Sequence, residues 1–228
     1  MNIVILTGAG ISAESGLGTF RSSGGLWEKF KIEDVATPMA WKKNPQLVLN
    51  FYNERRKQCK LAKPNKAHLA LAELANYHNV SIITQNIDDL HERAGSRNIT
   101  HLHGEILKAK TSELTREYYH IEKDIKLGDF NNGKQLRPHV VWFGEAVPEM
   151  DNAEEIAVTA DLFIVIGTSL NVYPAANLIN HIKKDCPLIL IDPNELNIEN
   201  SNARIIKVNA TVGVPLLVKE LIPQKKRD

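Results

Sequence analysis

Residues 3 to 16 read Ile3-Val4-Ile5-Leu6-Thr7-Gly8-Ala9-Gly10-Ile11-Ser12-Ala13-Glu14-Ser15-Gly16. The aliphatic run from Ile3 to Leu6 reads as a strand. The G-x-G-x-x-A directly behind it opens a helix, at a place where glycines let backbone N–H groups approach a pyrophosphate. The pattern alone fits a dinucleotide or phosphate site or a tight strand–helix turn, and its position behind a strand favours the first.

Outward from this stretch the same rhythm repeats. Val80 to Thr84, Val140 to Phe143, Leu162 to Ile166, Leu188 to Ile191 and Ile205 to Val208 are further β-branched or aliphatic runs. Helical spacing falls at His68 to Tyr77, Ala153 to Ala160, Ala175 to Lys183 and Pro215 to Leu221. Such alternation predicts an α/β fold, a Rossmann-like doubly wound parallel sheet. Two stretches break the rhythm: about 30 to 65, bounded by Thr37-Pro38, Asn44-Pro45 and Lys63-Pro64, and about 108 to 138, which is polar and carries Asn131-Asn132-Gly133. We expect one domain over 1–228, with a large lobe of 1–30, 65–107 and 139–228 and a smaller inserted lobe of 31–64 and 108–138.

Composition narrows the function. With 228 residues, 43% hydrophobic and 24% charged, the chain can bury a core of its own. No apolar run approaches the roughly 20 residues of a membrane-spanning helix. The 28 Lys and Arg against 27 Asp and Glu leave +1, so the electrostatic footprint of a nucleic-acid or acidic-lipid binder is missing. Cys59 and Cys186 are far apart and form no Cys-x-x-Cys pair, which argues against a disulfide scaffold and a cysteine-based zinc site. Met1-Asn2-Ile3-Val4 shows no basic leader or cleavage signal, so the expectation is a cytoplasmic protein with no membrane or nucleic-acid partner.

A dehydrogenase would carry a second strand ending in Asp or Glu about 20 residues beyond the glycines. Instead Leu17-Gly18-Thr19-Phe20-Arg21-Ser22-Ser23-Gly24-Gly25-Leu26-Trp27 is a glycine- and serine-rich loop. It fits a flap closing over a nucleotide, with Arg21 neutralising phosphate, or a plain solvent loop. Ligands of open α/β sheets sit beyond the carboxyl ends of the strands. The residues there are Thr7 and Gly8; Gln85, Asn86 and Asp88; Gly167, Thr168 and Ser169; and Asp192. Singly each suits a cap or a turn; four such corners together suit a ligand. In His101-Leu102-His103-Gly104 the two histidines share a face, as a general base or as structural residues. On an expected helix from Pro45 to Lys60, Val48, Tyr52 and Arg55 share a face, where a phenol and a guanidinium grip a carboxylate or simply pack.

Assembled, the motifs resemble the sirtuin family of NAD-dependent protein lysine deacylases. They run in order as Gly8-Ala9-Gly10-Ile11-Ser12-Ala13-Glu14-Ser15-Gly16, Thr19-Phe20-Arg21, Thr84-Gln85-Asn86-Ile87-Asp88, His101-Leu102-His103-Gly104, Val141-Trp142-Phe143-Gly144-Glu145 and Gly167-Thr168-Ser169. The resemblance implies NAD as cofactor and acyl-lysine proteins or peptides as partners, with His103 as general base and Asn86 beside it. It implies Gln85, Asn86, Ile87 and Asp88 around nicotinamide and ribose, and Gly8, Ala9, Gly10, Ser12, Ala13, Phe20, Arg21 and Trp27 around the rest of the cofactor. Gly167, Thr168, Ser169, Asp192, Asn194 and Ala210 would meet the adenosine half. Val141, Phe143, Gly144 and Glu145 would pair strand-like with the substrate backbone. In the subgroup it resembles, Tyr52 and Arg55 would hold the carboxylate of succinyl- or malonyl-lysine, with Ala36 leaving room for the longer chain.

Two departures qualify the resemblance. Gly18 stands where the family has Pro, which loosens the flap. The four zinc cysteines of the family are missing from Lys108 to Pro138, so no metal is carried over, and we expect a lobe held by Leu114, Tyr118, Tyr119, Ile121, Ile125, Leu127 and Phe130, partly at helical spacing. The expected function is lysine desuccinylation and demalonylation, with weaker deacetylation, by a monomer. The alternatives are an NAD-dependent ADP-ribosyltransferase or NAD glycohydrolase, and a non-catalytic NAD-sensing module.

Overall fold

A computed structural model of the protein describes residues 1–18, 30–111, 117–195 and 203–223. The strands are β1 (Asn2–Thr7), β2 (Asn79–Thr84), β3 (Ile99–His101), β4 (Gly104–Lys110), β5 (Tyr119–His120), β6 (Phe130–Asn131), β7 (Lys134–Gln135), β8 (Arg137–Val140), β9 (Leu162–Ile166), β10 (Leu188–Ile191) and β11 (Arg204–Ile206). Six of them form a parallel sheet in the order β11-β10-β9-β1-β2-β3. Alternating strand residues feed two cores. Ile3, Ile5, Ile82, Ile164 and Ile191 pack one face with the helices Lys66–Leu74 and Ala210–Leu221. Val4, Leu6, Ile83, Phe163 and Leu190 pack the other with Met150–Val158. Burial on both faces explains the unbroken aliphatic runs. Chain progression reverses between β1 and β9, which opens a crevice at their carboxyl ends.

A second, antiparallel sheet of β5-β4-β8 lies beside the helices Pro38–Lys43 and Pro45–Leu61. Three expectations are corrected here. The run Val140 to Phe143 is not a strand of the parallel sheet: β8 ends at Val140 and pairs with β4, while β3 takes the sixth parallel place. Pro138 and the polar Arg137 and His139 hide β8 in the sequence, although all four residues are buried, because their partners come from elsewhere in the chain. Ala175 to Lys183 contains a 3₁₀ helix, Ala175–Asn180, rather than an α-helix.

The third correction concerns the segment from 117 to 137, which builds strands and turns and, among the described residues, no helix. Asn132 and Gly133 have φ of 49° and 71°, the two positive values of a two-residue hairpin turn, and they join β6 to β7. Of the expected cluster, Ile125 is buried and Ile121 packs against it, with Leu49, Ala109, Trp41 and Leu136 supplying the rest. Tyr118, Leu127 and Phe130 are exposed, and Leu114 lies outside the described residues. His120 is exposed; His139 stacks on Tyr118 at 3.8 Å. Among the described residues no group of three or more His, Cys, Asp or Glu is placed to hold a metal, and no helix is long and apolar enough to cross a membrane.

Candidate active site

The crevice begins with two turns packed backbone on backbone. The Gly8 N–H donates to the Ile166 carbonyl at 2.9 Å and the Gly10 N–H to the Gly167 carbonyl at 2.8 Å. A Cβ on Gly10 would stand 2.6 Å from the Gly167 Cα, and one on Gly8 would stand 2.6 Å from the Thr168 Cβ. Gly167 has φ of +63° and faces Gly10 and Ile11 in return. The glycines therefore set the two turns against each other, with the Gly8 and Gly10 amides spent on that contact. Ala9, Ser12 and Ala13 lie on the short helix Ala9–Ala13 that follows.

At the end of β2 the chain turns through Gln85, Asn86, Ile87 and Asp88. The Asn86 N–H is held by Thr84 Oγ1 at 3.0 Å, and its Nδ2 donates to the Gly8 carbonyl at 3.1 Å and to Ser12 Oγ at 3.2 Å. Gln85 Nε2 donates to Thr168 Oγ1 at 3.2 Å, tying the β2 corner to the β9 corner. Asp88 is buried and accepts from the Leu90 N–H at 3.2 Å; burial raises its carboxyl above the usual range, against the hydrogen bonds and the charge of His101.

Both histidines of His101-Leu102-His103-Gly104 reach this turn. His103 Nδ1 lies 2.9 Å from the Gln85 carbonyl and His101 Nδ1 lies 3.0 Å from the Asn86 carbonyl. A carbonyl only accepts, so His103 carries its proton on Nδ1 and keeps a lone pair on Nε2. Burial lowers its pKa below 6.5, against the Gln85 bond.

Further along the carboxyl edge, Thr168 is buried, Ser169 is partly exposed, and Asp192 is buried while accepting from the backbone N–H and Nδ2 of Asn194 at 2.9 Å and 3.0 Å. Ala210 opens the last helix, whose first turn is tied to the first helix by Glu14: its carboxylate accepts from Thr211 Oγ1 at 2.7 Å. Phe20, Arg21 and Trp27 lie outside the described residues.

Tyr52, Ala36 and Trp142 belong to one buried cluster. Asn44 caps the helix Pro45–Leu61, which carries Tyr52 and Arg55. Tyr52 is 2% exposed, and burial pushes its phenol up, opposed by the charge of Arg55. Arg55 is partly buried, and burial lowers its pKa against the pull of Tyr52, Asp88 and Cys59. The guanidinium thus stands in the field of both Tyr52 and the buried Asp88. Its neighbour Arg56 is structural: Nε donates to the Ile106 carbonyl at 2.9 Å and Nη1 to Asn53 Oδ1 at 2.6 Å.

The segment Val141, Trp142, Phe143, Gly144 and Glu145 has no strand conformation. Its amides are used within the protein: Val141 N–H to the His103 carbonyl, Phe143 N–H to the Ala36 carbonyl, and Trp142 N–H to Glu145 Oε2. Glu145 is itself locked to Arg137 at 2.6 Å and 3.1 Å, and the Arg137 guanidinium stacks 3.3 Å over Trp142. The Glu145 carboxylate therefore shapes the segment from within. Sequence reasoning missed Arg137, and also Asn65, His68 and His91. Asn65 caps Lys66–Leu74 and binds the Ile11 carbonyl and Ser15 Oγ, while His91 reaches Thr7 Oγ1 at 3.1 Å. The run Pro64-Asn65-Lys66 advertises the cap; nothing local advertises the buried histidines.

Comparison with known proteins matches residues 8–174 to the Sir2 family. A Helicobacter pylori protein named NAD-dependent protein deacylase is 52% identical over 229 residues, covering 100% of this chain and 98% of that one. A Bacteroides thetaiotaomicron protein of the same name is 49% identical over 233 residues, 97% and 98% of the two chains. Among solved structures, a Sir2 homolog–NAD complex superposes with a TM-score of 0.87 at 39% identity, over 96% of this chain and 89% of that chain.

Proposed function

The chain belongs to the Sir2 family and is an NAD-dependent protein deacylase, and on that footing we propose that the acyl groups it removes best from lysine in proteins or peptides are succinyl and malonyl. Acetyl is a weaker substrate in this reading, and the enzyme acts as a monomer in the cytoplasm. The observation that carries the acyl preference is the Tyr52–Arg55 pair, a phenol and a guanidinium drawn out of water together beside Asp88 and Trp142. A desolvated guanidinium gains from an incoming carboxylate what it has lost in hydration. Buried Ala36 keeps the neighbouring volume small on the protein's side.

The crevice fits a dinucleotide on chemical grounds. It crosses the switch point between β1 and β9, and its rim offers the Thr168 hydroxyl, the Gln85 and Asn86 amides and the buried carboxylates of Asp88 and Asp192, which suit ribose hydroxyls. Bound NAD supplies a glycosidic bond whose cleavage releases nicotinamide and lets the acyl oxygen join the ribose. In our reading Asn86, Ile87 and Asp88 orient that end, and Gly8, Ala9, Gly10, Ser12 and Ala13 line the middle. Gly167, Thr168, Ser169, Asp192, Asn194 and Ala210 face the far half. His103 takes the proton of a ribose hydroxyl on Nε2, the nitrogen its Gln85 bond leaves basic. With a substrate carbonyl oxygen held in line as the attacking group, the site would need no nucleophilic Ser or Cys. Val141 and Phe143, whose amides are bonded internally, meet the peptide together with Gly144.

The test is a panel of succinyl-, malonyl- and acetyl-lysine peptides with NAD, read by mass spectrometry. The expected products are free lysine peptide, nicotinamide and O-acyl-ADP-ribose, fastest for the acidic acyls. Nicotinamide release that ignores the peptide would instead favour a glycohydrolase, and acetyl turnover equal to succinyl would end the acidic-acyl reading.

A further inference from the structure

Of the two histidines in His101-Leu102-His103-Gly104, the deacylase chemistry employs His103 and leaves His101 without a task. His101 is nevertheless the more heavily bonded. Its Nδ1 stands 3.0 Å from the Asn86 carbonyl and its Nε2 stands 2.7 Å from Glu92 Oε1, with the side chain 8% exposed. Both partners only accept. A neutral imidazole has one N–H, so it satisfies one of them and turns a lone pair on the other; only the imidazolium bonds to both.

We propose that His101 is a positioning residue working as an imidazolium clamp, which holds the Asn86 carbonyl on Nδ1–H while Glu92 holds Nε2–H, so that Asn86 keeps its place only while the ring carries both protons. The rest of Asn86 is already fixed, its N–H by Thr84 and its amide by Gly8 and Ser12. The His101 bond is what anchors its carbonyl end. His103 performs the same operation one residue earlier, on Gln85, and among the described residues no carboxylate is hydrogen-bonded to its ring. One carboxylate therefore separates a neutral base from a cationic clamp.

The surroundings agree. Burial opposes the charged ring, but the hydrogen bond and charge of Glu92 outweigh it, the Asn86 carbonyl and Glu105 of β4 add to them, and the pKa rises above 6.5. For Glu92, burial raises the carboxyl pKa and the His101 bond and charge overcome it, with Lys108 helping, so the group stays ionised. Asp88 in the same turn feels the His101 charge, as do His91 on the helix Leu90–Ala94 and His139 on β8, and burial keeps both of those rings uncharged. The sign follows: a folded pKa above the unfolded 6.5 means the clamp is complete below that value and is lost as pH rises through the raised pKa. Turnover should acquire an alkaline limb that belongs to His101.

The kinetic arm rests on the deacylase reading, and a spectroscopic arm stands apart from it. In the full chain, ¹⁵N NMR of the histidine rings should show His101 protonated at both nitrogens at neutral pH, with a titration midpoint above 6.5. Glu92→Gln is the decisive variant. Its amide donates to a neutral Nε2, so Nδ1–H stays on Asn86 at every pH; the midpoint should fall by about one unit or more, and the alkaline limb of kcat should vanish while kcat at neutral pH holds within about twofold. His101→Gln, which lacks the two-pronged geometry, should lower kcat about tenfold while the KM for NAD moves by less than about threefold. A singly protonated His101 at neutral pH, or an alkaline limb unchanged in Glu92→Gln, overturns the proposal. If no acyl peptide is turned over, the deacylase reading fails while the NMR result still decides the clamp.

Discussion

Glu145→Gln tests how the segment from Val141 to Glu145 is held. In the native protein the carboxylate accepts from Arg137 Nη1 at 2.6 Å, from Nη2 at 3.1 Å and from the Trp142 N–H at 2.8 Å. The two charged side chains are 3% and 7% exposed. Arg137 Nη2 also donates to the Val140 carbonyl at 2.9 Å, and its guanidinium covers the Trp142 ring. The amide keeps one acceptor for three donors and turns its own NH₂ towards a cation that has no other carboxylate beside it among the described residues. Breaking a buried pair by removing one partner costs about 3 to 5 kcal/mol, and the retained acceptor puts Gln near about 3 kcal/mol. Because the lock fixes Trp142 between amides anchored on His103 and Ala36, the KM for the acyl peptide should also rise about fivefold or more, with the KM for NAD moving far less. Urea denaturation gives the first quantity and steady-state kinetics the second. Arg137→Met with Glu145→Gln should recover part of the lost stability, since the orphaned charge is gone. A single variant within about 1 kcal/mol of wild type, or one whose peptide KM is unchanged, would refute the lock.

Tyr52→Phe with Arg55→Met should depress succinyl and malonyl turnover about ten- to hundredfold, the equivalent of losing about 1.5 to 3 kcal/mol of charge-assisted bonding, while sparing acetyl turnover; equal losses on the peptide panel would make the pair structural. Gly10→Ala forces a Cβ to within 2.6 Å of the Gly167 backbone, and should cost about 2 kcal/mol by denaturation and raise the KM for NAD, since neither turn can give way without the other. Burial holds the His103 pKa below 6.5, so its base form persists as the medium is acidified, and the acid limb of kcat/KM should lie below that value; a limb at or above it would assign the base elsewhere.

The parallel sheet was legible because strands buried on both faces must be aliphatic throughout, as Ile3 to Leu6 and Leu162 to Ile166 are. The β8 strand was not, since Arg137 and His139 read as surface residues; Glu145 and Tyr118, which make their burial tolerable, lie 8 and 21 positions away. Helical spacing in the small lobe was a coincidence of scattered apolar residues, and Asn131-Asn132-Gly133 was the better local signal, since two adjacent positive φ values demand those residue types. At the site, residue types at strand ends were legible from the sheet rule. The roles of Glu145 and His101 were not, because each is set by a partner's hydrogen-bonding polarity, a property of three-dimensional pairing rather than of spacing.

The position of His103 follows from where the chain changes sheets. His101 ends β3 in the parallel sheet and Gly104 begins β4 in the antiparallel one, leaving Leu102 and His103 between. The change needs Gly104, whose φ of +82° and contact with the His139 carbonyl leave no room for a Cβ. Leu102 is fully buried against the parallel sheet's core, and its N–H bonds the Thr84 carbonyl at 2.9 Å. With Leu102 committed to that core, His103 is carried on the joint: its ring bonds the Gln85 turn, and its carbonyl accepts the Val141 N–H at 2.9 Å. One residue thus touches the Gln85 turn through its side chain and the Val141 segment through its backbone. A displacement of either the Gln85 turn or the Val141 segment would therefore move Nε2, and Gly104→Ala should raise the KM for NAD and the KM for the acyl peptide together.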